Sequence, residues 1–149
     1  EVLDIARKNL SLLSREGMDR RISEIEKMIE SYRKQSHMEA KQSALKLRSL
    51  IMNDIETKVF MSDALKGVQN NVRPDIIITD VPYGNLVNWQ GNEENMIDKL
   101  LDSLYEICSS DTIIGLCMDK KQKVRNGKFV RLEKQQIGKR KFEILKIKS

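Results

Sequence analysis

The sequence predicts an α/β fold, and three observations support this prediction. Apolar residues recur at helical spacing through the first fifty residues. Two short apolar runs, residues 76–79 and 112–118, are typical of strands buried on both faces of a parallel sheet. Residues 129–147 have the pattern of an antiparallel strand pair. This order matches the second half of a Rossmann-like sheet, and 149 residues suit one domain.

Three helices are expected in the first third of the chain. The first runs to about Ser14, with Gly17 as its terminator. Asp19 is expected to cap the second helix, and the capping box of Ser36 and Glu39 to start the third. The predicted apolar faces are Val2, Ala6, Leu10 and Leu13, then Ile22, Ile25, Ile29 and Tyr32, then Ala40, Ala44, Leu47 and Ile51.

The sheet is expected within residues 57–149. Its first strand spans residues 58–61 and ends at Asp63, and the next ends at Asp80. Asn92 is expected to cap a helix, with acidic residues in its first turn and an apolar face that includes Leu101. The closing strands, residues 129–132 and 142–147, are split near Gly138.

The most informative segment for function follows the strand at residues 76–79. It contains Asp80, Pro82, Tyr83 and Gly84, at the strand end where ligands bind in parallel sheets. A carboxylate that accepts amino hydrogens, a rigid proline and an aromatic ring that stacks suit a planar base carrying an amino group. Asp80, Pro82 and Tyr83 are therefore the predicted catalytic residues. The same tetrapeptide also suits an ordinary strand-ending turn.

Further site residues are predicted in the neighbouring loops. Asn88 and Trp89 would close over the base or the cofactor, although Trp89 also suits a residue tucked under its own loop. Asp63 and Ala64 are predicted to contact the adenine of a nucleoside cofactor, with Asp80 beside them. The alternative for Asp63 is a helix-type cap on the turn that follows.

The positive charge of the chain is concentrated at its carboxyl end. From Lys120 onward there are 12 Lys and Arg residues against Glu133 and Glu143, which indicates contact with a polyanion. Lys120, Lys121 and Lys123 are expected to contact this polyanion, which could be a nucleic acid or an anionic membrane surface. The alternative is a solvated strand edge, where lysines discourage edge-to-edge pairing.

Several classes of protein are not indicated by the sequence. Cys108 and Cys117 lack metal-ligand or disulfide spacing and suit free thiols in a reducing, cytoplasmic compartment. The sequence offers no cluster of metal ligands, and no apolar run is long enough for a membrane span. His37, the single histidine, is expected to be solvated.

These residues together resemble the avilamycin-resistance type of rRNA methyltransferase. The resemblance rests on the run Ala-Arg-Lys-Asn-Leu-Ser-Leu-Leu-Ser from Ala6, a helical insertion near residues 17–53, the Thr-Asp-Val-Pro-Tyr-Gly loop from Thr79, and Trp-Gln-Gly from Trp89. It implies a class I methyltransferase fold and transfer of a methyl group from S-adenosylmethionine to a guanine N2 of large-subunit rRNA. On that resemblance, Asp80 and Tyr83 hold the flipped base and Asp63 contacts the donor.

The resemblance also raises two expectations about the chain itself. The glycine-rich donor loop and the acidic residue that holds the donor ribose are missing, so the chain is expected to be the truncated carboxyl-terminal part of the enzyme. Alone, it is expected to be inactive and to bind the donor weakly or not at all. An incomplete sheet is also expected to self-associate through its exposed edge and face. The alternative function is a catalytically silent RNA-binding or assembly module that uses the basic segment.

Overall fold

The computed structural model describes residues 1–68, 73–82 and 95–148, which divide into a helical unit (Glu1–Met61) and a sheet unit (Ser62–Ser149). The helical unit contains α1 (Val2–Leu10), a 3₁₀ turn (Ser11–Leu13), α2 (Arg15–Tyr32) and α3 (Gln35–Leu50). Three helices were predicted, and three are present. That residues 17–53 form an insertion within a single methyltransferase domain stays a prediction.

The helical unit has its own small core between α2 and α3. The buried residues are Met18, Ile22 and Ile25 of α2 and Ala44 of α3. The predicted apolar stripe of α2 is therefore confirmed at Ile22 and Ile25. The stripe predicted for α3 is only partly correct, because Leu47 is 54% exposed and Ala44 alone of that helix is buried.

The predicted helix boundaries in this unit were wrong at two places. Ser14, rather than Asp19, caps α2, and its hydroxyl accepts the Gly17 N–H at 3.1 Å. Gly17 therefore lies in the first turn of α2 and does not terminate α1. The Asp19 carboxylate instead accepts two hydrogen bonds from Arg48, at 2.6 and 3.0 Å, which join α2 to α3.

The predicted capping box at the start of α3 was also wrong. α2 ends at Arg33, which adopts a left-handed conformation with φ of 49°, and Lys34 occupies the N-cap position of α3 without a side-chain cap bond. The connection therefore needs only two residues, and Ser36 falls inside the first turn of the helix. Glu39 accepts a hydrogen bond from Gln35, at 3.4 Å.

The sheet unit is built on four strands in the order β1-β2-β4-β3. They are β1 (Ile76–Asp80), β2 (Ile113–Asp119), β3 (Phe129–Ile137) and β4 (Arg140–Ile147), and α4 (Met96–Tyr105) lies between β1 and β2 in sequence. β1 and β2 are parallel, whereas β2–β4 and β4–β3 are antiparallel. The predicted parallel pair with an intervening helix and the antiparallel closing pair are confirmed, and Gly138, with φ of 60°, turns the hairpin.

The core of this unit lies between α4 and one face of the sheet. α4 contributes Leu100, Leu101 and Leu104, and β2 contributes every second residue. The strand members are Ile114, Leu116, Met118, Phe129 and Leu145. Full burial of one such side chain stabilises a fold by roughly 1.5–3 kcal/mol, so this layer holds the helix on the sheet. The apolar face predicted for α4 is confirmed, whereas the predicted cap Asn92 lies outside the described residues.

The opposite face of the sheet is exposed, which contradicts the prediction that the strands are buried on both sides. Ile76 and Ile78 of β1 are 66% and 86% exposed, and Phe142 of β4 is 39% exposed. The strands alternate between the two faces, and the described residues place a helix over only one of them. The apolar residues of β1 are continuous in sequence, but those on one face of the strand are exposed.

The predicted strand at residues 58–61 is absent. Residues 51–68 contain no helix or strand, and the apolar side chains of Phe60 and Met61 are 44% and 85% exposed. A strand requires a hydrogen-bonding neighbour, and this segment pairs with none of the described strands. Its apolar pattern therefore has no sheet to join within the described part of the chain.

An ion pair is buried on the covered face of the sheet. Glu143 is 2% exposed, and its carboxylate lies 3.0 Å from Lys141 Nζ and 3.6 Å from a guanidinium nitrogen of Arg131. Lys141 is itself 4% exposed. Each of these buried charges is stabilised by the other, because water does not reach either side chain and cannot replace its partner.

The edge strand β3 carries a β-bulge beside this ion pair. Arg131 is aligned with Leu145, but the next aligned residues are Glu133 and Ile144, so Leu132 is the extra residue. Lys134 is consequently aligned with Glu143.

We expect Glu143→Gln to destabilise the protein by about 3–5 kcal/mol, because it leaves the buried Lys141 ammonium without a counter-ion. Urea denaturation followed by tryptophan fluorescence and circular dichroism would measure the loss. Glu133→Gln is the matched control, since Glu133 is exposed and is expected to change stability by no more than about 0.5 kcal/mol. Equal destabilisation by both substitutions would contradict a stabilising role for the ion pair.

Candidate functional site

The candidate site is centred on the carboxyl ends of the two parallel strands. Asp80 is the last residue of β1, and Cys117 is its aligned partner on β2. The strands remain joined beyond Asp80, where the Val81 N–H donates to the Cys117 carbonyl at 3.0 Å. The predicted position of Asp80 at a strand end is therefore confirmed, at the edge where parallel sheets place their ligands.

The Asp80 carboxylate interacts directly with Cys117. The thiol donates a hydrogen bond to the carboxylate. Burial raises the pKa of Cys117, and the hydrogen bond and negative charge of Asp80 raise it further, while the positive charge of Arg140 acts in the opposite direction. The neutral thiol is consequently the favoured form at neutral pH.

Pro82 is held by a side chain from the loop that follows β2. The amide nitrogen of Gln122 donates to the Pro82 carbonyl at 3.0 Å, and its oxygen accepts the Asp119 N–H at 2.8 Å. One glutamine thus connects the segment after β1 to the end of β2. This contact fixes the backbone of the Asp-Val-Pro motif immediately after the carboxylate.

Most of the predicted base-binding loop lies outside the described residues. This applies to Tyr83, Gly84, Asn88 and Trp89. Their predicted roles in stacking and closure stay predictions. Of the predicted catalytic residues, the structure places Asp80 and Pro82 at the same edge of the sheet, within three consecutive residues of the chain.

Asp63 and Ala64 lie in a turn and not at the end of a strand. The Asp63 carboxylate accepts the Leu65 N–H at 3.1 Å and lies 3.3 Å from Lys66 Nζ. This is the capping arrangement that the sequence left open as the alternative. The predicted contact of Asp63 and Ala64 with a donor adenine stays a prediction.

The described residues do not assemble a site that fits S-adenosylmethionine. The carboxylate predicted to bind the adenine, that of Asp63, is already engaged by the amide and the ammonium of its own turn. The positive-φ glycines of the described residues, Gly67 and Gly138, belong to a turn and a hairpin and do not form a strand-to-helix phosphate or donor loop.

The predicted RNA-binding lysines are exposed beside the Asp-Val-Pro segment. Lys120, Lys121 and Lys123 follow the end of β2, in the same loop as Gln122. The Lys120 N–H donates to the Lys139 carbonyl at 2.9 Å, which attaches the loop to the β3–β4 hairpin. Three cationic side chains are thus carried by the loop that also contacts Pro82.

The described residues contain neither a candidate metal site nor a candidate membrane span. No group of three or more His, Cys, Asp or Glu residues there has the arrangement of a metal site. None of the helices in the described ranges is both long and apolar enough to cross a membrane. Cys108 is buried and Cys117 is partly buried, and both are free thiols.

Two residues of the site were missed by sequence reasoning. Cys117 was interpreted as a buried thiol, and Gln122 lies in a basic loop without any motif. Cys117 becomes visible only when the alignment of β1 with β2 is known, and Gln122 only when the loop after β2 is placed. No signal in the sequence would have identified Gln122.

Comparison with known proteins gives consistent matches. The family model described as "RRNA methyltransferase AviRa" matches residues 1–140. A curated protein of Streptomyces viridochromogenes named 23S rRNA (guanine(2535)-N(1))-methyltransferase is 33% identical over 147 residues, which is 93% of this chain and 58% of that protein. Two solved structures of the rRNA methyltransferase aviRa from the same organism are 28% identical, cover 97% of this chain and 61% of theirs, and give TM-scores of 0.78 and 0.79.

Asp80→Asn is expected to lower the pKa of Cys117 and to accelerate its alkylation at mildly alkaline pH, because the substitution removes the charge that opposes the thiolate. Iodoacetamide labelling between pH 7 and pH 10, quantified at Cys117 by mass spectrometry, measures this. Asp111→Asn, at the opposite end of the parallel strand pair, serves as the control and should leave the pH profile unchanged. An unaltered profile in Asp80→Asn would mean that the carboxylate does not contact the thiol.

Proposed function

Because the chain belongs to the AviRa family of rRNA methyltransferases, we propose that the full-length protein methylates a guanine base in large-subunit rRNA. The curated relative with 33% identity is named for a 23S rRNA guanine. The chain spans 58% of the length of that relative, and S-adenosylmethionine is the donor that the family implies. The observation that carries the proposal is the Asp80 carboxylate at the carboxyl end of β1, followed by Pro82, whose carbonyl is held by Gln122.

The proposed role of Asp80 is to accept hydrogens from the Watson–Crick edge of the base. When a ring or amino nitrogen receives a methyl group, it loses a proton, and a carboxylate within hydrogen-bonding distance can accept that proton. A base paired within an RNA helix would first have to be flipped out into the site. Tyr83 is proposed to stack on the flipped base, and Gly84, Asn88 and Trp89 are proposed to complete its binding loop.

We propose guanine N1, and not the exocyclic N2, as the methylated atom. The motif suggested a base amino group and the family resemblance implied guanine N2, whereas the curated relative is named for N1. The two positions are adjacent on the base edge, and the two oxygens of one carboxylate can accept from both. In this arrangement one oxygen of Asp80 holds the N2 amino group and the other accepts the N1 proton.

The exposed lysines after β2 are proposed to bind the phosphates that flank the target base. Lys120, Lys121 and Lys123 share a loop with Gln122, whose side chain contacts the Pro82 carbonyl. RNA held by these lysines would therefore lie next to the carboxylate. Their exposure also supports the second candidate, a catalytically silent RNA-binding module. An rRNA substrate would place the protein in the cytoplasm.

We expect Asp80→Ala in the full-length protein to lower methyl transfer by about 10²- to 10⁴-fold, the usual contribution of a positioned acid or base. RNA binding should be retained, because the basic loop is untouched. Transfer of a radiolabelled methyl group from S-adenosylmethionine to 23S rRNA, followed by nucleoside mass spectrometry, measures the rate and distinguishes 1-methylguanosine from N2-methylguanosine.

Asp111→Asn is the control for this experiment, since it alters an exposed carboxylate outside the site. Unchanged biological function and unchanged RNA binding in Asp80→Ala, with no methyl transfer by the unaltered protein, would favour the silent binding module. Formation of N2-methylguanosine would correct the methylated atom and leave the enzyme assignment intact.

Self-association through the exposed sheet face is a further part of the proposal. β1 is an edge of the described sheet, and its outward residues Ile76 and Ile78 are exposed together with Phe142 of β4. A second copy of the chain would cover this apolar face and pair with the open backbone of the edge strand.

Ile78→Lys is expected to shift this chain toward the monomer, because it places a charge in the middle of the exposed face. Sedimentation velocity over a tenfold range of protein concentration measures the shift. Leu50→Lys, which alters an exposed leucine in the helical unit, should leave the association state unchanged. A monomeric unaltered chain at the highest concentration would rule out self-association.

A further inference from the structure

A basic cleft lies within the helical unit, away from the residues of the Asp-Val-Pro motif in sequence. It has a volume of about 330 Å³ and is formed by the end of α1, the 3₁₀ turn and the first half of α2. Its lining includes Lys8, Ser11, Arg20, Arg21 and Glu24. We call it the α1–α2 cleft.

The cleft depends on a close approach of two backbones at Gly17. A Cβ atom at this position would lie 1.8 Å from the Ser11 carbonyl oxygen, so only glycine allows the 3₁₀ turn to contact the first turn of α2. The Ser14 hydroxyl completes the junction, since it donates to the Ser11 carbonyl at 2.8 Å and accepts from the Gly17 N–H at 3.1 Å. The junction brings Lys8 of α1 next to Glu24 of α2.

The charges that line the cleft are unequal in number. Glu24 is shared by two cations, with its oxygens 3.0 Å from Arg21 and 3.6 Å from Lys8 Nζ. The hydrogen bond from Arg21 lowers the pKa of Glu24, so this carboxylate is ionised at neutral pH. Three cations therefore face one anion.

Arg20 is the cation in excess that is best placed for a ligand. It forms no ion pair with the described residues, and its only hydrogen bond there is a long one of 3.4 Å to the Ser11 hydroxyl. A guanidinium has five N–H donors and suits a phosphate group, which it can bind with two parallel hydrogen bonds. Arg20 thus retains most of its donors for a ligand.

We propose that the α1–α2 cleft binds a phosphodiester of the substrate RNA, with Arg20 as the principal contact and Lys8 beside it. No aromatic residue lines the cleft, so it offers no surface on which a base would stack. Its chemistry therefore matches the RNA backbone and not a nucleobase. The inference rests on RNA as the substrate and adds a contact in the helical unit to the proposed lysine loop.

Fluorescence anisotropy of this chain with a fluorescein-labelled 20-nucleotide RNA, between 50 and 300 mM KCl, tests the inference. Arg20→Gln is expected to weaken binding by roughly three- to tenfold and to reduce the slope of log affinity against log salt by about one. The effect should be the same for two RNA sequences, because phosphate contacts carry no sequence information. Circular dichroism confirms that the exposed substitution leaves the helices folded.

Lys27→Gln is the matched control, since it removes the same charge from the exposed surface of the same helix outside the cleft. A second pair of variants removes a negative charge instead of a positive one. Glu24→Gln should strengthen RNA binding by releasing Arg21 and Lys8, whereas Glu26→Gln, whose carboxylate pairs with Lys41 outside the cleft, should have a smaller effect.

Equal weakening by Arg20→Gln and Lys27→Gln would overturn the cleft as a site, as would equal effects of the two glutamate substitutions. Inorganic phosphate at constant ionic strength provides a further arm. Binding of phosphate that depends on Arg20, without any effect of Arg20→Gln on RNA, would mean a site for small anions only and would also overturn the inference.

Failure of this inference remains distinct from failure of the proposed function. If Arg20→Gln leaves RNA binding unchanged while methyl transfer still depends on Asp80, the cleft is excluded as an RNA site and the enzyme assignment stands. Absence of any RNA binding by the full-length protein would remove both.

Discussion

The burial of one face of β2 beneath α4 is the interaction on which the rest of the sheet unit depends. Ile114, Leu116 and Met118 are all but inaccessible to water, and they face a helix whose Leu101 is completely buried. Since side chains alternate along a strand, a slip by one residue would expose all three and bury Cys117 instead. The alternation therefore fixes the alignment of β2 with β1, and with it the contact between Cys117 and Asp80. The loop that carries Gln122 begins where this strand ends.

Much of the fold was predictable, because periodicity reports which residues must be buried together. The apolar stripes of α2 and α4 and the apolar run of β2 led to correct elements, since each meets a partner surface in the structure. The run at residues 58–61 is also mostly apolar but pairs with none of the described strands. Pattern alone cannot distinguish these cases, because pairing is a property of two segments. Helix ends were misplaced for a related reason: Ser14 and Asp19 are both good caps, and the contact of Gly17 with the Ser11 backbone decides between them.

The sequence predicted the carboxylate of the candidate site but not the residues that surround it. The Asp80 carboxylate was identified because an acid, a proline and an aromatic ring after an apolar strand form an unusual combination. The groups that orient it were not identified, because a cysteine and a glutamine are ordinary residues whose importance comes from their position. Cys117 is aligned with Asp80 on the neighbouring strand, and the Gln122 amide holds the backbone that follows the carboxylate. The motif places a carboxylate at the end of β1, and the loop after β2 fixes the backbone that follows it.

The β-bulge at Leu132 shifts the register of the edge strand β3 relative to β4 by one residue. Beyond the bulge every side chain changes face, so Glu133 is aligned with Ile144 and Lys134 with Glu143. In an uninterrupted ladder, Glu133 would stand directly opposite Glu143, and two carboxylates would meet on the buried side of the sheet, where like charges repel strongly. One additional residue thus places Lys134, and not Glu133, opposite Glu143. The irregularity of the edge strand makes the charged interior of this sheet possible.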